Sequence, residues 1–151
     1  MNNDIDPKLL QSLGIDISQV ESNGKELPDY FYGMIARAKK HCYKTLCGDF
    51  NGEECHWKIE SRHLDKIFNK WIITGSWRSV ARRLGTCHYS KRKININFGH
   101  KQMDEKQCWK TLLHELTHAI TYLHFGRCQK HGFKFKFYLH LLLPIEQDKQ
   151  I

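Results

Sequence analysis

The chain has 151 residues and a mass of 18.0 kDa, the size of one compact domain. Hydrophobic residues make up 40% and mean hydropathy is −0.60, the balance of a globular protein with a single core. No stretch approaches the roughly 18 apolar residues of a membrane-spanning helix. The polar N-terminus also lacks the basic and apolar regions of a secretory signal. We therefore expect an intracellular protein (cytoplasmic, nuclear or nucleoid) that is not secreted and does not bind a membrane.

The charge is unevenly distributed along the chain. Lys and Arg number 24 against 16 Asp and Glu, which gives a net charge of +8. Residues 1–61 carry 7 basic and 10 acidic side chains, and residues 137–151 carry 1 and 2. Residues 62–136 carry 16 and 4, a net charge of +12. This basic segment favours acidic partners such as nucleic acids.

The chain contains six cysteines but no Cys-x-x-Cys pair. Without a secretory signal, they are expected to be thiols in a reducing compartment. A metal cluster of Cys42, Cys47, Cys55 and His56 is the weaker alternative, because these spacings match no known zinc pattern.

The first part of the chain predicts a polar arm followed by a helix. Residues 1–27 are polar with only short apolar clusters, which is typical of a loosely held N-terminal arm. From Tyr30 to about Leu46, apolar residues recur at steps of three and four, which predicts an amphipathic helix. Residues 47–52 predict a turn.

The elements between residues 54 and 98 are shorter. Alternation at 55–59 indicates a short strand, the apolar spacing over 64–71 suits a helix, and 72–74 favour another strand. Residues 86–98 predict a hairpin, with polar and apolar residues alternating and a turn at 90–92. This hairpin is the most basic strand region of the sequence.

The clearest prediction is a long helix that follows the hairpin. Asp104 is a good N-cap, and Gly126 is a typical C-terminal stop. Its apolar side chains are expected to form one broad buried face: Trp109, Leu112, Leu116, Ala119, Ile120 and Leu123. His114 and His118 fall on the opposite side, about 40° apart.

Residues 114–118 of this helix read His-Glu-Leu-Thr-His and fit the pattern H-E-x-x-H. Histidines at i and i+4 can bind one zinc ion, and the intervening Glu115 is placed to hold a water molecule. A third ligand is needed. His124 has the metzincin spacing, but Thr121 occupies the position where that pattern requires glycine. His131 is favoured because it follows Gly126, where the chain can turn back toward the site; Glu146 is a remote alternative.

The segments 114–119 and 131–135 resemble the H-E-x-x-H-A and H-G-x-x-F motifs of SprT-like metalloproteases, a group that includes Spartan-type proteases of DNA–protein crosslinks. Gly85-Thr86-Cys87 and residues 93–97 resemble the strand pair that precedes the active-site helix of this family. The resemblance covers about residues 30–143. It implies an α+β, zincin-like single domain, in which a small antiparallel or mixed sheet packs on helices that include the H-E-x-x-H helix.

The resemblance also bears on the ends of the domain. We expect a metalloprotease domain over 28–143 and a tail over 144–151. Alternating Phe133, Phe135 and Phe137 favour a strand, whereas the resemblance implies a helix starting near His131. The sequence contains neither the C-terminal zinc ribbon of many members nor the long C-terminal extension of Spartan-type proteins, so the resemblance implies the protease core and not the functions that depend on those parts.

The chemistry of such a site is peptide hydrolysis. Three neutral histidines would bind one catalytic zinc ion and leave a position for water, whose pKa zinc lowers. Glu115 would act as the general base on the zinc-bound water and return the proton to the leaving amine. Tyr122, Tyr138 and Arg127 are the nearest candidates for an oxyanion donor, but each is expected to serve in packing or at the surface.

The resemblance to Spartan-type proteases also implies DNA near the active site. Six basic residues flank or build the hairpin and are the candidate nucleic-acid contacts: Arg78, Arg82, Arg83, Lys91, Arg92 and Lys93. Trp77, Tyr89 and Trp109 are candidates for stacking on single-stranded bases, although a core role is as well supported. A solvated basic face without a ligand is the simpler alternative.

Two functional hypotheses follow. The first is a zinc-dependent endopeptidase that cleaves DNA-associated or DNA-crosslinked proteins, with single-stranded DNA as a partner and a role in DNA repair. The second is a zinc-containing nucleic-acid-binding module without proteolytic activity. Glu115 separates them, since a structural zinc site requires the histidines but not the acid.

Overall fold

The computed structural model describes residues 26–48, 58–78 and 82–144, which form an α+β fold. Its elements are the helices α1 (Tyr30–Cys47), α2 (Ser61–Lys70), α3 (Glu105–Phe125) and α4 (Phe133–Leu142), and the strands β1 (Ile72–Ser76), β2 (Gly85–His88) and β3 (Lys93–Asn97). The predicted α+β class with a small mixed sheet is thereby confirmed. The predicted arm up to residue 25, the Cys55 and His56 part of the alternative cluster, and Glu146 lie outside the described residues.

The three strands form one sheet in the order β1-β3-β2. Strand β3 pairs antiparallel with β2, with Gly85 opposite Ile96, which confirms the predicted hairpin. It also pairs parallel with β1, with Ile72 opposite Lys93. Within the described part of the chain, β2 pairs with β3 alone, so its other edge is open.

The ends of α3 follow the local chemistry that the sequence predicts. The side chain of Asp104 accepts a hydrogen bond from the backbone N–H of Gln107 at 2.7 Å. At the other end Gly126 has a φ of 79°, the left-handed conformation that glycine adopts at little cost. Both predicted ends of this helix are confirmed.

Helix α3 is buried around more of its circumference than the sequence indicates. Trp109 and Leu123, which the apolar pattern places on the buried face, are only half-buried, whereas Thr111 and Glu115 are buried. The reason is that α3 packs on β2 and β3 as well as on α1, α2 and α4. Contacts with the sheet bury polar side chains that lie outside the apolar face predicted from the sequence.

Two other local predictions have different outcomes. Residues 133–142 are helical, as the family resemblance implies, so the strand suggested by Phe133, Phe135 and Phe137 is wrong. Phe135 is buried while Phe133 is 83% exposed. Ile59 does not belong to a strand; it is buried and its N–H donates to the carbonyl of Leu46.

None of the described helices combines the length and apolar character needed to cross a bilayer.

Candidate metal centre and active site

Three histidines bring their side-chain nitrogens together at the surface of α3. His114 and His118 project from the helix, and His131 comes from the segment between α3 and α4. The Nε2 atom of His131 lies 3.2 Å from Nε2 of His114 and 3.1 Å from Nε2 of His118. Of the candidates for a third ligand, the structure therefore brings His131 to the pair.

The chain returns to the helix by two tight turns. Gly126 ends α3 in a left-handed conformation. A Cβ atom on it would meet nothing within 4 Å, so the position favours glycine because of its backbone conformation and not because space is short. Lys130 has a φ of 51°, and the N–H of Gly132 donates to the carbonyl of Gln129. These turns direct His131 back over α3.

The ring of Phe135 in α4 packs against all three imidazoles. Its ring stacks on His118 at a centroid distance of 4.3 Å. The rings of His114 and His131 lie 4.9 Å and 5.0 Å from it. Because Phe135 is only 2% exposed, its ring gives the three imidazoles a buried apolar surface to pack on.

The donor set fits a zinc ion. Two nitrogens that each lie about 2.0–2.1 Å from a tetrahedral zinc ion are separated by roughly 3.3–3.4 Å, close to the distances between these histidines. Burial also lowers the pKa of His114 and of His118 to about 4, with further contributions from neighbouring histidines. Both are therefore neutral near pH 7, as metal ligands must be.

Glu115 lies beside the histidines and is 6% exposed. Burial raises the pKa of its carboxyl group to about 7, while the nearby guanidinium of Arg83 opposes this rise. Strand β2 approaches this residue closely, since a Cβ atom on Gly85 would lie 3.3 Å from Cγ of Glu115. The side chain of Glu115 therefore lies between α3 and β2, with its Cγ close to the strand.

The three histidines and Glu115 open into one cavity of about 730 Å³. Strand β2 forms one wall through Gly85, Thr86 and Cys87, and α3 forms the other. The volume is within the range of about 300–1,000 Å³ that small-molecule sites occupy. The cavity is thus large enough for a few residues of a peptide.

The alternative residues lie elsewhere. His124 packs against His63, with ring centroids 5.6 Å apart, and does not line the cavity. The three candidate oxyanion donors, Tyr122, Tyr138 and Arg127, do not line it either. The half-buried side chain of Tyr89, which the sequence suggests for base stacking or for the core, does line it and contacts His118.

The sequence model of the SprT-like family matches residues 52–145. This chain belongs to the SprT-like family. Searches of curated proteins and of solved structures give no match to it. The family consists of metalloprotease-like domains associated with metal binding, and the histidine cluster of this chain could hold a metal ion.

The SprT-like domain also carries a basic groove of about 410 Å³ on the other face of its sheet. Five of the six predicted nucleic-acid residues line it: Arg78, Arg82, Arg83, Lys91 and Lys93. The sixth, Arg92, does not line the groove; it occupies the hairpin turn with a φ of 52°. Strand alternation explains this face, because Lys93, Asn95 and Asn97 lie on the side of β3 opposite to the buried Ile94 and Ile96.

Asn97 fixes the backbone that carries these arginines. Its side-chain oxygen accepts hydrogen bonds from the N–H groups of Arg78 and Gly99, at 2.9 and 3.0 Å. Its amide nitrogen donates to the carbonyls of Arg78 and Arg83, at 2.9 and 3.2 Å. Asn97 is 3% exposed, and its place in a strand is the only sequence signal that bears on this role.

Proposed function

We propose that this SprT-like chain is a zinc-dependent endopeptidase. The observation that carries the proposal is the convergence of three histidine Nε2 atoms beside the buried Glu115 on the wall of one open cavity. A structural zinc site usually has four protein ligands, whereas three histidines leave a position for substrate or water.

Each residue has a distinct role in this proposal. His114, His118 and His131 would hold the zinc ion, which supplies Lewis acidity and lowers the pKa of water. Glu115 would accept a proton from the attacking water and deliver it to the leaving amine. Burial raises the pKa of this carboxyl group above the usual value for glutamate, which makes it a stronger base than an exposed glutamate.

The open edge of β2 supports binding of an extended peptide. Gly85, Thr86 and Cys87 line the cavity, and within the described part of the chain β2 has the unpaired backbone edge on which a further strand can form. Such strand addition aligns the peptide by main-chain hydrogen bonds, with little dependence on side-chain sequence. This suits an enzyme that cleaves many different proteins.

We further propose that the substrates are DNA-associated or DNA-crosslinked proteins and that single-stranded DNA binds the basic groove. Five cationic side chains around one groove supply the phosphate contacts, and the exposed Trp77 follows β1 nearby. Binding that depends on phosphate contacts weakens steeply with salt. DNA binding of equal strength at low and high salt would contradict this part of the proposal.

The test is a cleavage assay with zinc-loaded protein on a DNA-binding protein, with and without single-stranded DNA. We expect cleavage by the wild-type chain and none by Glu115→Gln, which should retain about one zinc ion per chain. If Glu115→Gln cleaves as fast as the wild type, Glu115 is not the general base.

The basic groove also favours a second candidate, a nucleic-acid-binding module that retains zinc but has no peptidase activity. In that case both the wild type and Glu115→Gln would bind zinc and single-stranded DNA, and neither would cleave any protein. The same assay therefore separates the two functions.

A further inference from the structure

Tyr89 contacts the side of a histidine that faces away from the proposed metal. It follows β2 directly, and its hydroxyl oxygen lies 3.3 Å from Nδ1 of His118. The other ring nitrogen of His118, Nε2, is the atom that lies 3.1 Å from His131. The two nitrogens of one imidazole therefore face two different partners.

This contact bears on the protonation of the imidazole. A neutral histidine that binds a metal through Nε2 must carry its proton on Nδ1. The partner of that N–H fixes both the tautomer and the orientation of the ring. The hydroxyl oxygen of Tyr89 is in position to accept this hydrogen bond.

Tyr89 is itself held by several contacts. Its ring stacks on Tyr122 of α3, at a centroid distance of 4.5 Å and an angle of 21°. Cys128, from the segment that also carries His131, donates to the Tyr89 hydroxyl with a sulfur–oxygen distance of 3.5 Å. Tyr89 thus joins the hairpin, α3 and the His131 segment.

We propose that Tyr89 is a positioning residue, which holds His118 in the metal-binding tautomer through the hydrogen bond from Nδ1 to its hydroxyl oxygen. The inference rests on the proposed metal centre, but it assigns a role that the three histidines and Glu115 do not cover. It predicts that the hydroxyl group, rather than the aromatic ring, supports metal affinity.

The test compares Tyr89→Phe with Tyr122→Phe. Each variant removes one hydroxyl group from the same stacked pair, but only the Tyr89 hydroxyl contacts His118. Zinc affinity is measured by competition with a chromophoric chelator. We expect Tyr89→Phe to weaken zinc binding by about 10–100-fold, as the loss of an outer-shell partner does, and Tyr122→Phe to bind as the wild type.

A spectroscopic readout separates positioning from general packing. In the zinc-loaded wild type, the Nδ1 proton of His118 should give a slowly exchanging NMR signal, and Tyr89→Phe should broaden or lose it. Equal zinc affinity in Tyr89→Phe and the wild type would overturn the inference, as would an equal loss in Tyr122→Phe. If His131→Ala binds zinc as tightly as the wild type, the proposed metal centre itself is wrong, and this inference fails with it.

Discussion

Replacing Gly85 with alanine should displace the proposed general base. Gly85 begins β2, and a Cβ atom there would lie 2.7 Å from Cγ2 of Thr111 and 3.3 Å from Cγ of Glu115. It would also lie 3.0 Å from the carbonyl oxygen of Asn95 in β3. The methyl group is thus confined between the buried side chains of Thr111 and Glu115 and the backbone of β3, and a buried β-branched threonine has little freedom to move away.

The size of the effect follows from these distances. Carbon atoms pack at about 3.5–4.0 Å, so β2 and α3 must separate by roughly 1 Å near Glu115. Overpacking of this kind costs about 1–3 kcal/mol of unfolding free energy, which corresponds to a decrease in Tm of roughly 2–12 °C for a chain of this size. A misplacement of about 1 Å in the active site can lower the rate on the order of 100-fold.

Gly75→Ala is the matched control for this prediction. A Cβ atom on Gly75 in β1 would lie 2.5 Å from the ring of Phe98 and 2.7 Å from Leu27, so alanine there is overpacked as well, but none of these three residues lines the cavity. Both variants should lose stability by thermal denaturation, whereas only Gly85→Ala should lose most of its kcat/KM on a peptide substrate. Wild-type kcat/KM in Gly85→Ala, or an equal loss in both variants at a temperature where both are folded, would refute the reasoning.

The other predictions concern the groove, the cap of α3 and the metal. Asn97→Asp places an oxygen against the carbonyls of Arg78 and Arg83 and should lower the free energy of unfolding by at least about 1–3 kcal/mol. An unchanged midpoint of urea denaturation would contradict the role of Asn97. Asp104→Ala removes the N-cap hydrogen bond from Gln107 and should lower the free energy of unfolding by about 0.5–2 kcal/mol. The zinc affinity of this variant should equal that of the wild type. Zinc at about 1,000 times its Kd should raise the free energy of unfolding of the wild type by about 4 kcal/mol. The accompanying increase in Tm should disappear when a chelator is added. If zinc raises the Tm of His131→Ala by the same amount, His131 is not a ligand.

Local signals predicted the parts of the site that are adjacent in sequence. The pair His114 and His118 depends only on helix periodicity, and the ends of α3 depend only on Asp104 and Gly126. His131 could be favoured because a glycine between two histidines allows the chain to turn back. Each of these inferences needs only the geometry of one element and the turn after it.

The contacts between distant segments could not be predicted in the same way. The parallel pairing of β1 with β3 depends on how the intervening chain crosses the sheet, and it is this pairing that places Asn97 beside Arg78. The contact of Tyr89 with His118 joins residues on two elements, and no spacing rule indicates it. The same long-range packing buries Glu115 on a face of α3 that the apolar pattern leaves exposed.

The basic side chains are distributed unequally between the cavity and the groove. This distribution bears on how peptide cleavage and DNA binding combine in the proposed function. Among the described residues, the cavity wall has three lysine or arginine side chains, those of Arg83, Lys110 and Lys130, and the groove has five. Arg83, Gly85 and Thr86 line both, while Cys87 lines only the cavity and His88 only the groove. DNA in the groove would therefore border the same strand that the peptide would contact, while the three histidines of the proposed metal centre line only the cavity. If DNA bound in the cavity instead, it would compete with substrate, so the proposed arrangement requires that single-stranded DNA does not inhibit cleavage of a short, uncharged peptide.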